Sequence, residues 1–217
     1  MSRHAPENVY ATAKPGLRAR AASVVSGRAR SRRHARLFAL TGATPRSRIV
    51  DIGCGRLGLR RHEPSLDITG VDVTRRPDYP GPFVVADVLD GLPFADDEFD
   101  LAYCSSVVEH VAREHREDFA HELRRVARGW FVQTPAFAFP IEPHALLPFA
   151  HWLPAGMRRP YWRLGVAGDW EEIALLRRDE MTALFGEPVA ERVGPLAKSW
   201  ISVRPIPGTP QSGDPRY

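Results

Sequence analysis

The chain is poor in cysteine and in lysine. Only Cys54 and Cys104 occur among its 217 residues, too few and too unpatterned for a disulfide framework or a cysteine-based zinc site. A reducing cytoplasm is the expected setting, and no metal is expected. No run of about 18 apolar residues is present, so no membrane-spanning segment is expected. The N-terminus also lacks the apolar core of a signal peptide. Lysine stands only at 14 and 198, and the net charge of +4 rests on arginine scattered through every segment. Acidic residues are scarce at the start, where Glu7 alone precedes Asp51. The arginine-rich stretch from Arg18 to Arg36 reads first as a solvated helical face and second as a polyanion-binding arm. Nucleic acid is therefore not the expected partner.

What remains is globular in composition, with 43% hydrophobic and 26% charged residues, enough for one domain with a single core. Residues 1–44 read as a basic, partly helical segment, with helical patterning from Leu17 to Leu40 ended by Gly42 and Pro45. Strands are expected at 48–52, 67–73, 83–86, 99–105 and 130–134. Two more, 189–193 and 199–203, are joined through Gly194 and Pro195 as an antiparallel hairpin at the sheet edge. Helices fit 113–128, where Phe119, Leu123 and Val126 recur at helical spacing, and 178–185. This alternation is that of an α/β protein with a mostly parallel sheet. Only a turn or two of helix fits before Pro64. "TRRPDYPGP" holds three prolines in nine residues, so the second crossover is expected to be a loop rather than a helix. The end of the chain, 205–217, is rich in Pro and Gly, has nothing evident to bury and is expected to be a disordered tail.

The stretch "IVDIGCGRLGLRR" brings Gly53, Gly55 and Gly58 to the end of an apolar strand. Read as G-x-G-x-x-G, it suits any nucleotide. Asp51 argues against a pyrophosphate, because a carboxylate two residues before the first glycine repels it, whereas a cationic ligand is attracted. Asp72 ends the second strand in "ITGVDV", where a carboxylate can accept both hydroxyls of a ribose. Arg75 and Arg76 just beyond it favour a ribose phosphate, which keeps an NADP-binding oxidoreductase as the alternative.

With "VDIGCG", "GVDV", "VVADVLDGLPFADDEFDLAYCSSVVEHV" and "GWFVQTP" following "ELRRVAR" in this order, the chain resembles the class I S-adenosylmethionine-dependent methyltransferases of the small-molecule, type 11 kind. The resemblance spans about residues 45–204. It implies a Rossmann-like, doubly wound, mostly parallel seven-stranded sheet, with an acceptor-side insert at 136–168. It implies S-adenosylmethionine as cofactor, with Asp51 and the backbone from Gly53 through Cys54 to Gly55 at the methionine end. Asp72 and Val73 would lie at the ribose, Asp87 and Val88 at the edge and face of the adenine, and Ser105, after the fourth strand, would bind the cofactor beside its methyl group. Ser106, Glu109 and His110 would border the methyl group. One departure is the third glycine of the loop, whose usual place is taken by Leu57, with Gly58 one residue later.

Methyl transfer from a sulfonium mainly needs alignment and exclusion of water. A base is needed only where the acceptor must lose a proton. The place after the fourth strand reads "CSSVVEH" rather than the Asn/Asp-Pro-Pro-aromatic motif of amide and base N-methylating relatives, so transfer to oxygen of a small molecule is the favoured reading. The aromatic, prolyl segment 134–162 suits a lid over an apolar or ring-bearing acceptor. It suits a homodimer contact or packing on the core equally well. Glu142, His144 and His151 lie within it, and His144 and His110 are the candidate catalytic residues, since histidine titrates near neutral pH. An RNA methyltransferase using the arginine-rich arm is a further alternative.

Overall fold

The computed structural model describes residues 36–55, 58–167, 170 and 173–209. The expected N-terminal helix lies outside these residues except for its last turns, residues 36–41 (α1). Seven strands form one sheet: β1 (Arg48–Ile52), β2 (Asp67–Asp72), β3 (Phe83–Val85), β4 (Phe99–Ser105), β5 (Ala127–Pro135), β8 (Val189–Val193) and β9 (Leu196–Arg204). Between β1 and β2 stands the one-turn helix α2 (Leu59–His62), and between β4 and β5 the helix α3 (Arg116–Val126). The insert contributes a two-stranded ribbon of β6 (Ile141–Glu142) and β7 (Leu147–Pro148), then α4 (Ala155–Trp162). Helix α5 (Arg178–Phe185) leads into β8.

The order across the sheet is β3-β2-β1-β4-β5-β9-β8. Neighbours are parallel from β3 to β5, while β9 runs antiparallel between β5 and β8. The chain moves outward from β1 to β2 and β3, then crosses back to β4 on the other side of β1. That reversal creates the crevice at the carboxyl ends of β1 and β4 in which open α/β sheets bind ligands.

Strands buried on both sides supply two cores by simple alternation. Val50, Ile52, Ala102, Cys104 and Val132 face Phe119 and Leu123 of α3 and Met181 of α5. Ile49, Ile68, Leu101, Tyr103 and Phe131 face Leu37 of α1 and Leu59 of α2. Burying a side chain of this size contributes about 1.5 to 3 kcal/mol, so these two layers dominate the stability of the domain.

The second crossover is a loop, as three prolines require, and Tyr79 packs from it where a helix would otherwise lie. A Cβ on Gly70 would come within 2.5 Å of the Tyr79 ring, and one on Gly58 within 2.7 Å. Gly58 is thus a close-approach position, which accounts for its unusual place in the loop. The expected disordered tail needs correction at its start. Ile206 is 7% exposed and packs into the second core, and its N–H donates to the Thr41 carbonyl at 2.9 Å. Residues 210–217 lie outside the described residues. No helix among the described residues is long and apolar enough to cross a membrane.

Candidate active site

The carboxyl ends of β1, β2 and β4 bring the sequence-selected residues together. Register pairs Asp51 with Gly70 on one side and Tyr103 on the other, so Asp51 sits centrally and is 2% exposed. One of its oxygens accepts the Leu59 N–H at 2.6 Å, occupying the N-terminus of α2. Burial pushes the Asp51 carboxyl up to about 7; the Leu59 hydrogen bond works against that shift and the Asp72 charge reinforces it. A neutral-leaning carboxyl held in a crevice is a group waiting for a cation.

The glycine loop turns through left-handed backbone at Gly53 (φ +67°) and Gly55 (φ +52°). The N–H groups of Gly53 and Cys54 donate to the Val71 carbonyl at 2.8 and 3.1 Å, and that of Gly55 donates to Asp72 at 2.9 Å. These three donors are therefore engaged inside the protein. What they leave for a ligand is carbonyl oxygen and the Asp51 carboxylate, which match an ammonium and repel a pyrophosphate.

Asp72 accepts a second N–H, from Thr74, at 2.8 Å, and lies 3.5 Å from the Arg76 guanidinium. A carboxylate has about four lone-pair positions, so hydroxyl donors can still be accommodated. Arg76 is committed to this carboxylate and Arg75 is exposed. Neither the loop nor this pair supports the NADP alternative. Val73 is 43% exposed at the end of β2, an apolar surface beside Asp72. Asp87 caps the one-turn helix Val88–Asp90 by accepting the Leu89 N–H at 2.9 Å. Val88 is buried, 8% exposed, and packs into the first core.

Beyond β4 the chain makes another one-turn helix, Val108–His110. Val107 lies against the glycine loop, since a Cβ on Gly53 would come within 2.3 Å of its methyl group. The two loops therefore touch. Ser105 and Ser106 are both oriented by the Gln133 side-chain oxygen, at 2.7 and 3.4 Å. Glu109 is 1% exposed; its Oε2 accepts from the Thr134 hydroxyl at 2.9 Å, while Oε1 is buried without a hydrogen-bond partner. Buried Cys104 registers both sides of the crevice, its thiol pushed up first by burial and then by the charges of Glu109 and Asp51. These effects disfavour the thiolate that a nucleophile requires.

The insert delivers its own side chains to the same place. His144 Nδ1 lies 2.7 Å from Glu142 Oε1, and Glu142 Oε2 accepts the Ala145 N–H at 2.5 Å. Both side chains are 3% exposed. Burial opposes the Glu142 charge, but the hydrogen bonds from His144 and Ala145 outweigh it and hold the carboxyl below the usual range. The His144 ring stands edge-on to His110, with centroids 5.1 Å apart. Ligand-competent atoms of Glu109, His110 and His144 all lie within 4.8 Å of one another. His151 donates through Nε2 to the Phe137 carbonyl at 2.9 Å. Its Nδ1 is buried and unpartnered, and burial pulls its basicity down. Glu142 and His151 line a narrow groove with Arg158, Trp162, Trp170 and Leu175.

Sequence reasoning selected most of these residues one by one but missed those that hold them: Val107, Thr134, Gln133, Tyr79 and the Asp51 cap on α2. Thr134 and Gln133 sit within "FVQTP", a strand whose polar pair is the available signal, because a buried strand interior has no other use for them.

Residues 50–131 match the methyltransferase-domain family, a segment that contains every residue named above for the cofactor side. No curated protein matches the chain. Among solved structures, a protein of Pyrococcus horikoshii is 16% identical with a TM-score of 0.53, covering 73% of this chain and 81% of its own. A SAM-dependent methyltransferase of Methanosarcina mazei is 14% identical with a TM-score of 0.48, covering 76% and 95%. A 1,6-didemethyltoxoflavin-N1-methyltransferase of Burkholderia thailandensis, bound to its substrate and S-adenosylhomocysteine, is 14% identical with a TM-score of 0.46, covering 73% and 69%. The family match thus spans the cofactor-side residues, and the segment 50–131, set in this sheet order, is similar to the methyltransferase-domain family.

Proposed function

We propose that the methyl acceptor is a small molecule and that the methyl group goes to oxygen. The observation that carries this reading is the Glu142-backed His144 beside Glu109 and His110, one loop away from Gly53. When bound, S-adenosylmethionine supplies a methyl group already activated on a sulfonium, so the protein's task is alignment, water exclusion and handling of one proton. Asp51 and the loop carbonyls from Gly53 to Gly55 would hold the cationic methionine end. Asp72, with Val73, would accept the ribose hydroxyls, and Asp87 with Val88 would meet the adenine. Ser105 would border the same ligand.

On the acceptor side, Ser106, Glu109, Glu142 and His151 would line the pocket. His144 is the imidazole suited to take a hydroxyl proton: Glu142 fixes its Nδ1–H and stabilises the imidazolium that forms. The groove walled by Trp162, Trp170 and Leu175 supports an apolar or ring-bearing acceptor.

The test combines binding and product detection. S-adenosylhomocysteine should raise the melting temperature and NADP should not. Asp72→Asn should weaken cofactor binding by about 1 to 3 kcal/mol; unchanged affinity in the folded variant removes the ribose assignment. Incubation with methyl-labelled cofactor and a metabolite extract should yield an O-methylated product by mass spectrometry. Labelled RNA or N-methylated product instead would overturn the acceptor class.

A further inference from the structure

Glu109, His110 and His144 come from two segments far apart in sequence, yet their candidate ligand atoms fall within 4.8 Å of one another. Two of the three are almost fully buried, Glu109 at 1% and His144 at 3% exposed. The Glu109 Oε1 atom has no hydrogen-bond partner. Leaving a buried carboxylate oxygen unsatisfied is unfavourable, so the arrangement calls for a positive partner. A second buried carboxylate, Glu142, sits directly behind His144. That is the arrangement in which a ligating histidine donates its outer N–H to a carboxylate, fixing the tautomer and leaving Nε2 to bind a metal.

From these observations we infer that Glu109, His110 and His144 form a binding site for a divalent transition-metal ion, with Glu142 as the carboxylate that orients His144. Two imidazoles and one carboxylate suit zinc, iron(II) or cobalt(II); magnesium prefers an all-oxygen shell. Charge balance agrees, since one divalent ion offsets the two buried carboxylates Glu109 and Glu142. Three protein ligands leave coordination positions open, and a hydroxyl bound there loses its proton far more readily than in water. The inference rests on the acceptor-side reading of this cluster. It narrows the acceptor to molecules offering a hydroxyl or enol oxygen to a metal; with the ion bound His144 serves as a ligand, and its proton-accepting role belongs to the metal-free chain.

The experiment uses the full chain, stripped with chelator and dialysed. Titration with cobalt(II) should give a visible d–d spectrum, and zinc should displace the cobalt with a stoichiometry near one; magnesium should do neither. Glu109→Gln, His110→Ala and Glu142→Gln should each weaken zinc binding, the last by about 10- to 100-fold as expected for an orienting carboxylate. His110 is only partly buried, so its variant keeps the test decisive should a buried substitution fail to fold. Absence of a cobalt spectrum in the parent chain, or undiminished zinc affinity in folded His110→Ala, overturns the site. S-adenosylhomocysteine binding to the metal-free chain is measured in parallel. Cofactor binding without metal binding overturns the metal inference alone, and metal binding without cofactor binding overturns the methyl-transfer reading alone.

Discussion

Asp51 is the residue on which pH should act. Its carboxyl, lifted by burial to about 7, keeps a proton that the unfolded chain releases near the ordinary aspartate value of about 3.9. The folded state therefore binds more protons between those values. The stability contributed by protonated Asp51 is complete below about pH 4, declines toward pH 7 and is absent above it. A cationic ligand reverses the preference and must expel the proton. Cofactor affinity should rise by up to about tenfold per pH unit below 7 and level off above, with proton release visible as a buffer-dependent heat. Asp51→Asn should flatten this profile while still accepting the Leu59 N–H; a profile identical to that of the parent would remove Asp51 from the cofactor. Tyr79 offers a second residue-level test. Its hydroxyl is buried without a partner, and burial, then the Asp51 charge, push its acidity far down. Tyr79→Phe should leave urea stability unchanged or slightly higher, whereas Gly58→Ala, which drives a methyl into that ring and the Asp51 carboxylate, should cost about 1 to 3 kcal/mol. Asp51, Asp72 and the glycines were legible in the sequence because each ends a strand. Gly58 was legible as a displaced third glycine, but the reason for its place was not, because that reason is a tyrosine that folds back from the next crossover.

At the scale of elements, the strands and helices follow from periodicity, and the two truncated crossovers follow from proline. The sequence does not say what replaces a missing helix, since a loop's packing is set by distant partners rather than by its own pattern. The turn after β4 illustrates the same point. Arg116, at the start of α3 and 3% exposed, donates to the Val111 and Ala174 carbonyls and pairs with Glu180 of α5 at 3.2 Å. It ties the turn bearing Glu109 to the segment that returns from the insert, where the Ala174 N–H meets the Glu109 carbonyl at 3.0 Å. Arg116→Met should destabilise the domain by about 3 to 5 kcal/mol, the range for removing one partner of a buried pair, measured by denaturant titration. Helical patterning predicts that Arg116 is helical. It does not predict that an arginine lies inside.

Across the whole molecule, the two chain regions flanking the domain close one face of the sheet together, with Leu37 and Ile206 in the same core. Ile206→Ala should therefore cost about 2 to 4 kcal/mol, read by urea unfolding, although a Pro- and Gly-rich context gave the residue no visible purpose. The insert likewise has a small core of its own, Ala145, Leu147, Ala150, Trp162 and Ala167, which composition alone did not reveal. β9, the last strand among the described residues, lies between β5 and β8. During synthesis β5 must wait with an open hydrogen-bonding edge until residues 196–204 arrive, so the β3-β2-β1-β4-β5 half emerges early but cannot be sealed. Long-range closure of this kind slows folding and exposes the nascent chain to association through that edge.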